Sequence, residues 1–404
     1  MPYAVPAMTT PSPAEQAIRE RIAQAGRITF AEFMEHALYG PGGYYTRAEP
    51  IGRRGDFYTS SHAHPLFGAL IAVQIHQMWR LLGSPAAFQV VELGAGDGRL
   101  ALDVLSTLDG LGLPADYRAI ERHPRPGGMH PRLAWQDDLP DEFSGCLLSN
   151  EFFDALPVHR LVKEKGRLLE VYVTVSDGRL IETLDTPSSP AIAERLEQEG
   201  VRLQDGWSAE VCLAASDWMR RVAKALQRGY VITIDYGDLA EDLYAERRRR
   251  GTLTAYHRHT PQEDLYARIG QQDLTAHVDF TSLIAAGKSD SLQPVTLMTQ
   301  HEFLRNLGAD DYLPRLAEST AGQGEYQANA MAVRDLLKLD GLGNFRVLIQ
   351  AKGSPAAQLA CLGRDEAETA TALKRLDPLP KLSPQHLDLL AARYPHQARD
   401  WNPG

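Results

Sequence analysis

The sequence predicts an α/β fold built on a Rossmann-like sheet, with a helical extension before it and a β-rich subdomain inserted within it. Three observations carry this expectation. A β-rich run at residues 88–93 passes directly into the turn Gly94-Ala95-Gly96-Asp97-Gly98 and then into a helical pattern over residues 99–108, with another strand pattern at 117–121. That succession is a β-α-β unit. Further strand patterns follow at 146–149, 230–235 and 345–351, while residues 159–184 alternate and turn like a hairpin or three-stranded excursion leading to a helix.

The elements before residue 88 read as helix and loop. Ser12-Pro13-Ala14-Glu15 has the form of a capping box with proline at the first helical position, and the helix it opens stops near Gly26. Thr29-Phe30-Ala31-Glu32 opens a second helix, which ends in the turn Gly40-Pro41-Gly42-Gly43 before Tyr44 and Tyr45. Apolar residues at steps of three and four over 65–82 predict an amphipathic helix closed by Gly83. Later, Thr299-Gln300-His301-Glu302 forms another box, and residues 326–338 read as helical. The expected organisation is an extension over 1–87 covering the site, a core over 88–353 with an insertion at about 158–207, and a loosely packed tail over 354–404.

Composition narrows the function. The 404 residues are 44% hydrophobic and 23% charged, as in a folded globular protein. A net charge of -10 argues against a nucleic-acid binder and suits a basic substrate. The three cysteines are scattered, with no metal-ligand spacing and no disulfide framework, which fits a reducing compartment. No run reaches the ~18 apolar residues of a membrane span, no signal-peptide core is visible, and the first basic residue is Arg19. The expectation is a cytoplasmic protein without membrane insertion.

The glycine turn carries the chemistry. Its glycines let the backbone approach a ligand closely. A dinucleotide fingerprint would place Gly or Ala where Arg99 stands, so the pattern favours S-adenosylmethionine over a nicotinamide cofactor. Glu92 and Asp97 suit that cofactor's ammonium and sulfonium. Gly94 and Gly96 are candidate cofactor contacts, and Glu121, ending the next strand, is a candidate acceptor for the ribose hydroxyls. Asp137 and Asp138 are candidates for the adenine amino group, or are simply loop acids.

The segment Asn150-Glu151-Phe152-Phe153-Asp154-Ala155-Leu156-Pro157 follows a strand end, where open α/β sheets place their ligands. Asn150 is a candidate cofactor contact. Glu151 and Asp154 could bind a guanidinium or orient an amine nucleophile, although Asp154 could instead cap a turn. Asp273, Thr275, His277 and Asp279 would share one face of an extended strand and line a cleft, or an edge strand with Asp279 as a helix cap. His277 is a candidate proton acceptor. The run Arg247-Arg248-Arg249-Arg250 reads as a solvated loop or a partner contact.

Taken together, Gly55-Asp56-Phe57-Tyr58-Thr59-Ser60, Glu92-Leu93-Gly94-Ala95-Gly96, the 150–157 segment, Asp235-Tyr236-Gly237 and the 273–280 segment resemble the bacterial and mitochondrial MidA-like methyltransferases. The resemblance spans nearly the whole chain. It implies a class I methyltransferase sheet, S-adenosylmethionine as cofactor, and methylation of a protein arginine, with a respiratory complex I subunit as possible substrate. It also makes Gly55, Asp56 and Thr59 cofactor contacts from a loop folded over the site. One departure is clear: the family's Thr-Ser/Ala-Pro-Glu stands here as Thr59-Ser60-Ser61-His62, so if that glutamate holds cofactor or substrate, either His62 takes its part or the function has drifted. The rival readings are a non-catalytic, cofactor-binding assembly factor and a nicotinamide-dependent oxidoreductase.

Overall fold

The computed structural model describes residues 11–46, 59–122, 128–257, 260–319, 322–356, 358–363, 376 and 378–382. At its centre lies a seven-stranded sheet in the order Gln293–Thr299, Arg346–Lys352, Leu226–Asp235, Phe143–Asn150, Gln89–Leu93, Asp116–Ile120 and Leu133–Gln136. Neighbours from Leu226–Asp235 to Leu133–Gln136 pair in parallel. Arg346–Lys352 alone runs antiparallel to both of its neighbours. The parallel strands are apolar on both faces because each face is covered by helices.

On one face the Leu66–Leu81 and Arg99–Gly110 helices pack with Val90, Tyr117, Cys146 and Ile232. On the other, Leu213–Ala225 and Phe280–Lys288 cover Val91, Leu93, Leu147 and Val231. The Leu66–Leu81 helix departs from the amphipathic expectation, since residues 66 to 78 are all buried. Its polar side is covered by the chain just after the last strand: Gln77 Oε1 accepts the Ala360 amide at 2.7 Å and Gln74 Oε1 the Cys361 amide at 2.9 Å. The expected loose tail therefore begins as core, with Leu359, Ala360 and Cys361 buried.

The extension and the insertion form one body. Ser12 and Thr29 accept the Glu15 and Glu32 amides and open the helices Pro13–Ala25 and Phe30–Tyr39. Between them Ile28–Thr29 is a short strand, where only helix and loop were expected, and pairs with Arg167–Ser176 of the insertion. The excursion appears as His159–Glu164, Arg167–Ser176 and Arg179–Asp185, followed by the helix Pro190–Gln198. It closes four residues beyond the expected boundary because Ser208–Val211 returns to pair with His159–Glu164.

A second excursion follows Leu226–Asp235. Thr254–His257 pairs with Asp273–Thr275, and Gly237–Asp238 pairs with Val278–Asp279. The 272–280 segment is thus two short strands with different partners. No helix among the described residues is long and apolar enough to cross a membrane. No cluster of three or more potential metal ligands occurs among them either.

Candidate functional site

The carboxyl ends of the parallel strands gather two groups of residues. The first surrounds the glycine turn, where Gly94, Gly96 and Gly98 have φ of 66°, 57° and 80°, a region that disfavours side chains. A Cβ on Gly94 would also lie 2.8 Å from the Phe152 ring. The Gly94 and Ala95 amides donate to the Ile120 carbonyl at 3.0 and 3.3 Å. The Gly96 amide donates to Glu121 Oε2 at 3.0 Å, so the acid at the end of Asp116–Ile120 faces the turn. Glu92 lies beneath it, accepting the Tyr117 hydroxyl at 2.7 Å. Burial, opposed by that hydroxyl, pushes the Glu92 pKa up to about 8.

Asp97 is held from two sides. Oδ1 accepts the Arg99 amide at 3.0 Å and Oδ2 meets His62 Nε2 at 3.0 Å. Burial alone would raise its pKa, but the His62 contact, followed by Arg99, lowers it to about 2. Thr59 Oγ1 contacts His62 Nδ1 at 2.6 Å. His62 thereby ties the 59–63 segment to the glycine turn. Gly55 and Asp56 lie outside the described residues.

The second group is the 150–157 segment. Glu151 adopts φ of 53°, an uncommon conformation for a residue with a side chain. Its Oε1 accepts the Ser60 amide at 3.0 Å and Asn150 Nδ2 at 3.1 Å. Asp235, fully buried, accepts the Phe153 amide at 2.9 Å and the Tyr236 amide at 3.0 Å. The Ala276 amide donates to the Asp154 carbonyl at 3.1 Å. Burial, then the Asp154 charge, raises Glu151 to about 8. Burial raises Asp154 to about 6 against the Tyr236 hydroxyl. Asp235 is raised by burial and by Asp154 and Glu151. The charges acting most strongly on Glu151 and Asp235 are carboxylates, not cations. Asn150 Oδ1 and Asp154 Oδ1 are buried with no hydrogen-bond partner among the described residues.

The remaining candidates separate. Asp137 is exposed just beyond the Leu133–Gln136 strand. Asp138 turns outward, accepting the Leu139 amide at 2.7 Å and pairing with Arg221. The expected polar strip is divided: Asp273 accepts the Tyr45 hydroxyl at 2.9 Å, whereas Asp279 caps Phe280–Lys288 through the Thr281 and Ser282 amides. The capping alternative for Asp279 therefore holds. His277 lies edge-on to Tyr236, ring centres 5.3 Å apart, and lines a small cavity with Arg195, Tyr244 and Asp279. Burial and then Arg248 lower its pKa to about 4, which makes it a weak proton acceptor. In the arginine run, Arg247 pairs with Asp242 and Arg248 with Asp238.

Sequence reasoning left Asp235, Tyr236, Tyr39 and Tyr45 out of the site. The first two stood in the Asp235-Tyr236-Gly237 motif at a strand end, which is itself a placement signal. The other two flank the Gly40–Gly43 turn and carry no local mark of function.

Comparison with known proteins agrees with this geometry. Residues 70–298 match the Methyltransf_28 family of S-adenosyl-L-methionine-dependent methyltransferases. The Homo sapiens mitochondrial protein arginine methyltransferase NDUFAF7 is 30% identical over 360 residues, covering 78% of each chain. The Xenopus tropicalis protein of the same name is 27% identical, over 80% of this chain and 82% of its own. A COG1565 superfamily protein from Burkholderia thailandensis, solved bound to S-adenosyl-homocysteine, superposes with a TM-score of 0.80 at 31% identity, covering 89% of this chain and 98% of that one. The nicotinamide reading does not survive these matches. The sheet is the class I methyltransferase sheet, the cofactor is S-adenosylmethionine, and the chain belongs to the Methyltransf_28 family of methyltransferases.

Proposed function

We propose that this enzyme methylates an arginine side chain of a protein. The observation that carries the reading is the carboxylate cluster of half-buried Glu151 with buried Asp154 and Asp235, in which the strongest charges acting on Glu151 and Asp235 are the neighbouring carboxylates. Buried carboxylates are costly unless a cation joins them, and a guanidinium offers the planar fork that pairs with two carboxylates at once. The names of the relatives and the net charge of -10 point the same way.

The residues present suit the cofactor. The turn at Gly94 and Gly96, bare of side chains, would take its amino-acid end, Asp97 supplies negative charge beside it, Glu92 beneath the turn would ionise only against the cofactor's cationic groups, and Glu121 faces the same turn as an acceptor for the ribose. Thr59 through His62 closes over the turn, Asn150 brings a carbonyl oxygen with no partner among the described residues, and of the two acids Asp137 is proposed for adenine because Asp138 is engaged by Arg221. When bound, S-adenosylmethionine supplies a methyl group activated on a sulfonium. Glu151 and Asp154 align the guanidinium and draw its charge away from the attacking nitrogen, and such alignment can contribute ~7–11 kcal/mol of barrier lowering. Asp154, at about 6, replaces His277 as the proton acceptor of this proposal.

A complex I subunit is the proposed acceptor, and the cytoplasm the proposed location, in keeping with three free cysteines. Calorimetry with S-adenosylmethionine, S-adenosylhomocysteine and NADH, beside a Gly96→Val variant, tests the cofactor site. Labelled methyl transfer to arginine peptides and complex I subunits tests the acceptor. Binding without transfer to any arginine would favour the non-catalytic assembly factor.

A further inference from the structure

Three consecutive residues of the acid segment are each held by a different element. The Phe153 amide is held by Asp235, the Asp154 carbonyl by the Ala276 amide, and the Ala155 carbonyl by the Tyr39 hydroxyl at 2.9 Å. The first two bonds come from the core and the second excursion. The third comes from the last residue of the Phe30–Tyr39 helix in the N-terminal extension.

Tyr39 also reaches the other side of the crevice. The Arg122 guanidinium lies 4.2 Å from its ring centre and pairs with Glu35 of the same helix at 2.8 Å. Arg122 follows Glu121, whose carboxylate faces the glycine turn. A cation over a tyrosine face is attracted by the ring quadrupole, and the Glu35 pair fixes its orientation. The ring is supported by Tyr45, stacked at 5.3 Å and 18°, whose hydroxyl is anchored on Asp273. Burial, then Asp273, raises the Tyr39 pKa well above its ordinary value, so the phenol stays a donor.

We propose that Tyr39 is a positioning residue of the reaction: by gripping Ala155 with its hydroxyl and Arg122 with its ring, it holds the acid segment in register with the strand end that carries Glu121. This rests on the acid segment being the methyl-acceptor site. The extension is then a brace between the two halves of the crevice as well as a cover.

The test is Tyr39→Phe, which keeps both ring contacts and removes only the bond to Ala155. Amide hydrogen exchange of peptides spanning 150–157 should rise about tenfold, with other core peptides unchanged. The S-adenosylhomocysteine Kd should stay within about twofold, and kcat on an arginine peptide should fall about fivefold with little change in cofactor KM. Wild-type exchange at 150–157 would overturn the proposal. Arg122→Gln is the second variant, leaving the hydroxyl bond and emptying the ring face. In the wild type S-adenosylhomocysteine should protect 150–157 from exchange, and Arg122→Gln should weaken its binding about fivefold and abolish that protection; no protection in the wild type, or retained protection in the variant, would also overturn it. Exchange needs no methyl acceptor, so failure of the wild type to methylate arginine would sink the function reading while exchange still judges Tyr39.

Discussion

The two sides of the crevice handle negative charge in opposite ways. At the glycine turn, Asp97 is held ionised by His62 and the Arg99 amide, with a pKa near 2. At the acid segment, half-buried Glu151 and buried Asp154 lie with Asp235, their pKa values pushed up to about 8 and 6. Such a difference teaches that the acid beside the turn is already paired, while the strongest charges acting on Glu151 and Asp235 are other carboxylates. Even Glu92, raised to about 8 beneath the turn, has a hydroxyl partner in Tyr117. Asp154 has the Tyr236 hydroxyl beside it, but its Oδ1 finds no hydrogen-bond partner among the described residues.

The contrast can be broken most severely at Glu151. Glu151→Gln keeps the shape and removes the charge, so turnover on an arginine peptide should fall about a hundredfold, with S-adenosylhomocysteine affinity nearly unchanged. Equal losses in both would merge the two sides into one site. On the other side, His62→Ala removes a charge-assisted contact to Asp97 and should weaken cofactor binding about tenfold by calorimetry, while turnover at saturating cofactor survives. A fall confined to turnover would assign His62 to the acceptor side.

Proton linkage sharpens the same comparison. The folded-state pKa of Glu151 lies above its ordinary 4.5, so its protonated form is favoured by folding. That contribution is fully present below about 4.5 and is lost as pH rises through about 8. Melting temperature should therefore decline over this window, and Glu151→Gln should flatten the slope. A guanidinium reverses the preference, so near pH 7 its binding should release protons, measurable by calorimetry in buffers of different ionisation enthalpy. The smallest effect is expected for Asp138→Ala. Its exposed pair with Arg221 contributes under ~1 kcal/mol, and cofactor affinity should hold, whereas Asp137→Ala should reduce it.

Much of this was legible in the chain. The strand running into Gly94-Ala95-Gly96 and the capping threonines at 29 and 299 are local signals, and local hydrogen bonds enforce them. Glu151 and Asp154 were legible because they follow a strand end. Their charge state was not, because it depends on Ser60, Asp235 and Tyr236, which approach from distant parts of the sequence. Other misses have similar causes. Gln293–Thr299 carries Pro294 and sits at the sheet edge, so it lacks a buried apolar run. Ala309–Ser319 contains Pro314, which argues against a helix from sequence. Ile28–Thr29 is too short to show a period and becomes a strand only because Arg167–Ser176 pairs with it.

The backbone of Glu151 has a consequence for engineering. At φ of 53° a glycine or asparagine would rest more easily than a glutamate, a penalty on the order of 1–2 kcal/mol. Selection for heat resistance alone would accordingly press on this position, as on Ser84, Lys165, Asp177 and Ser291 in the same region. Under the role proposed for Glu151, a screen that scores folding without chemistry would favour inert proteins.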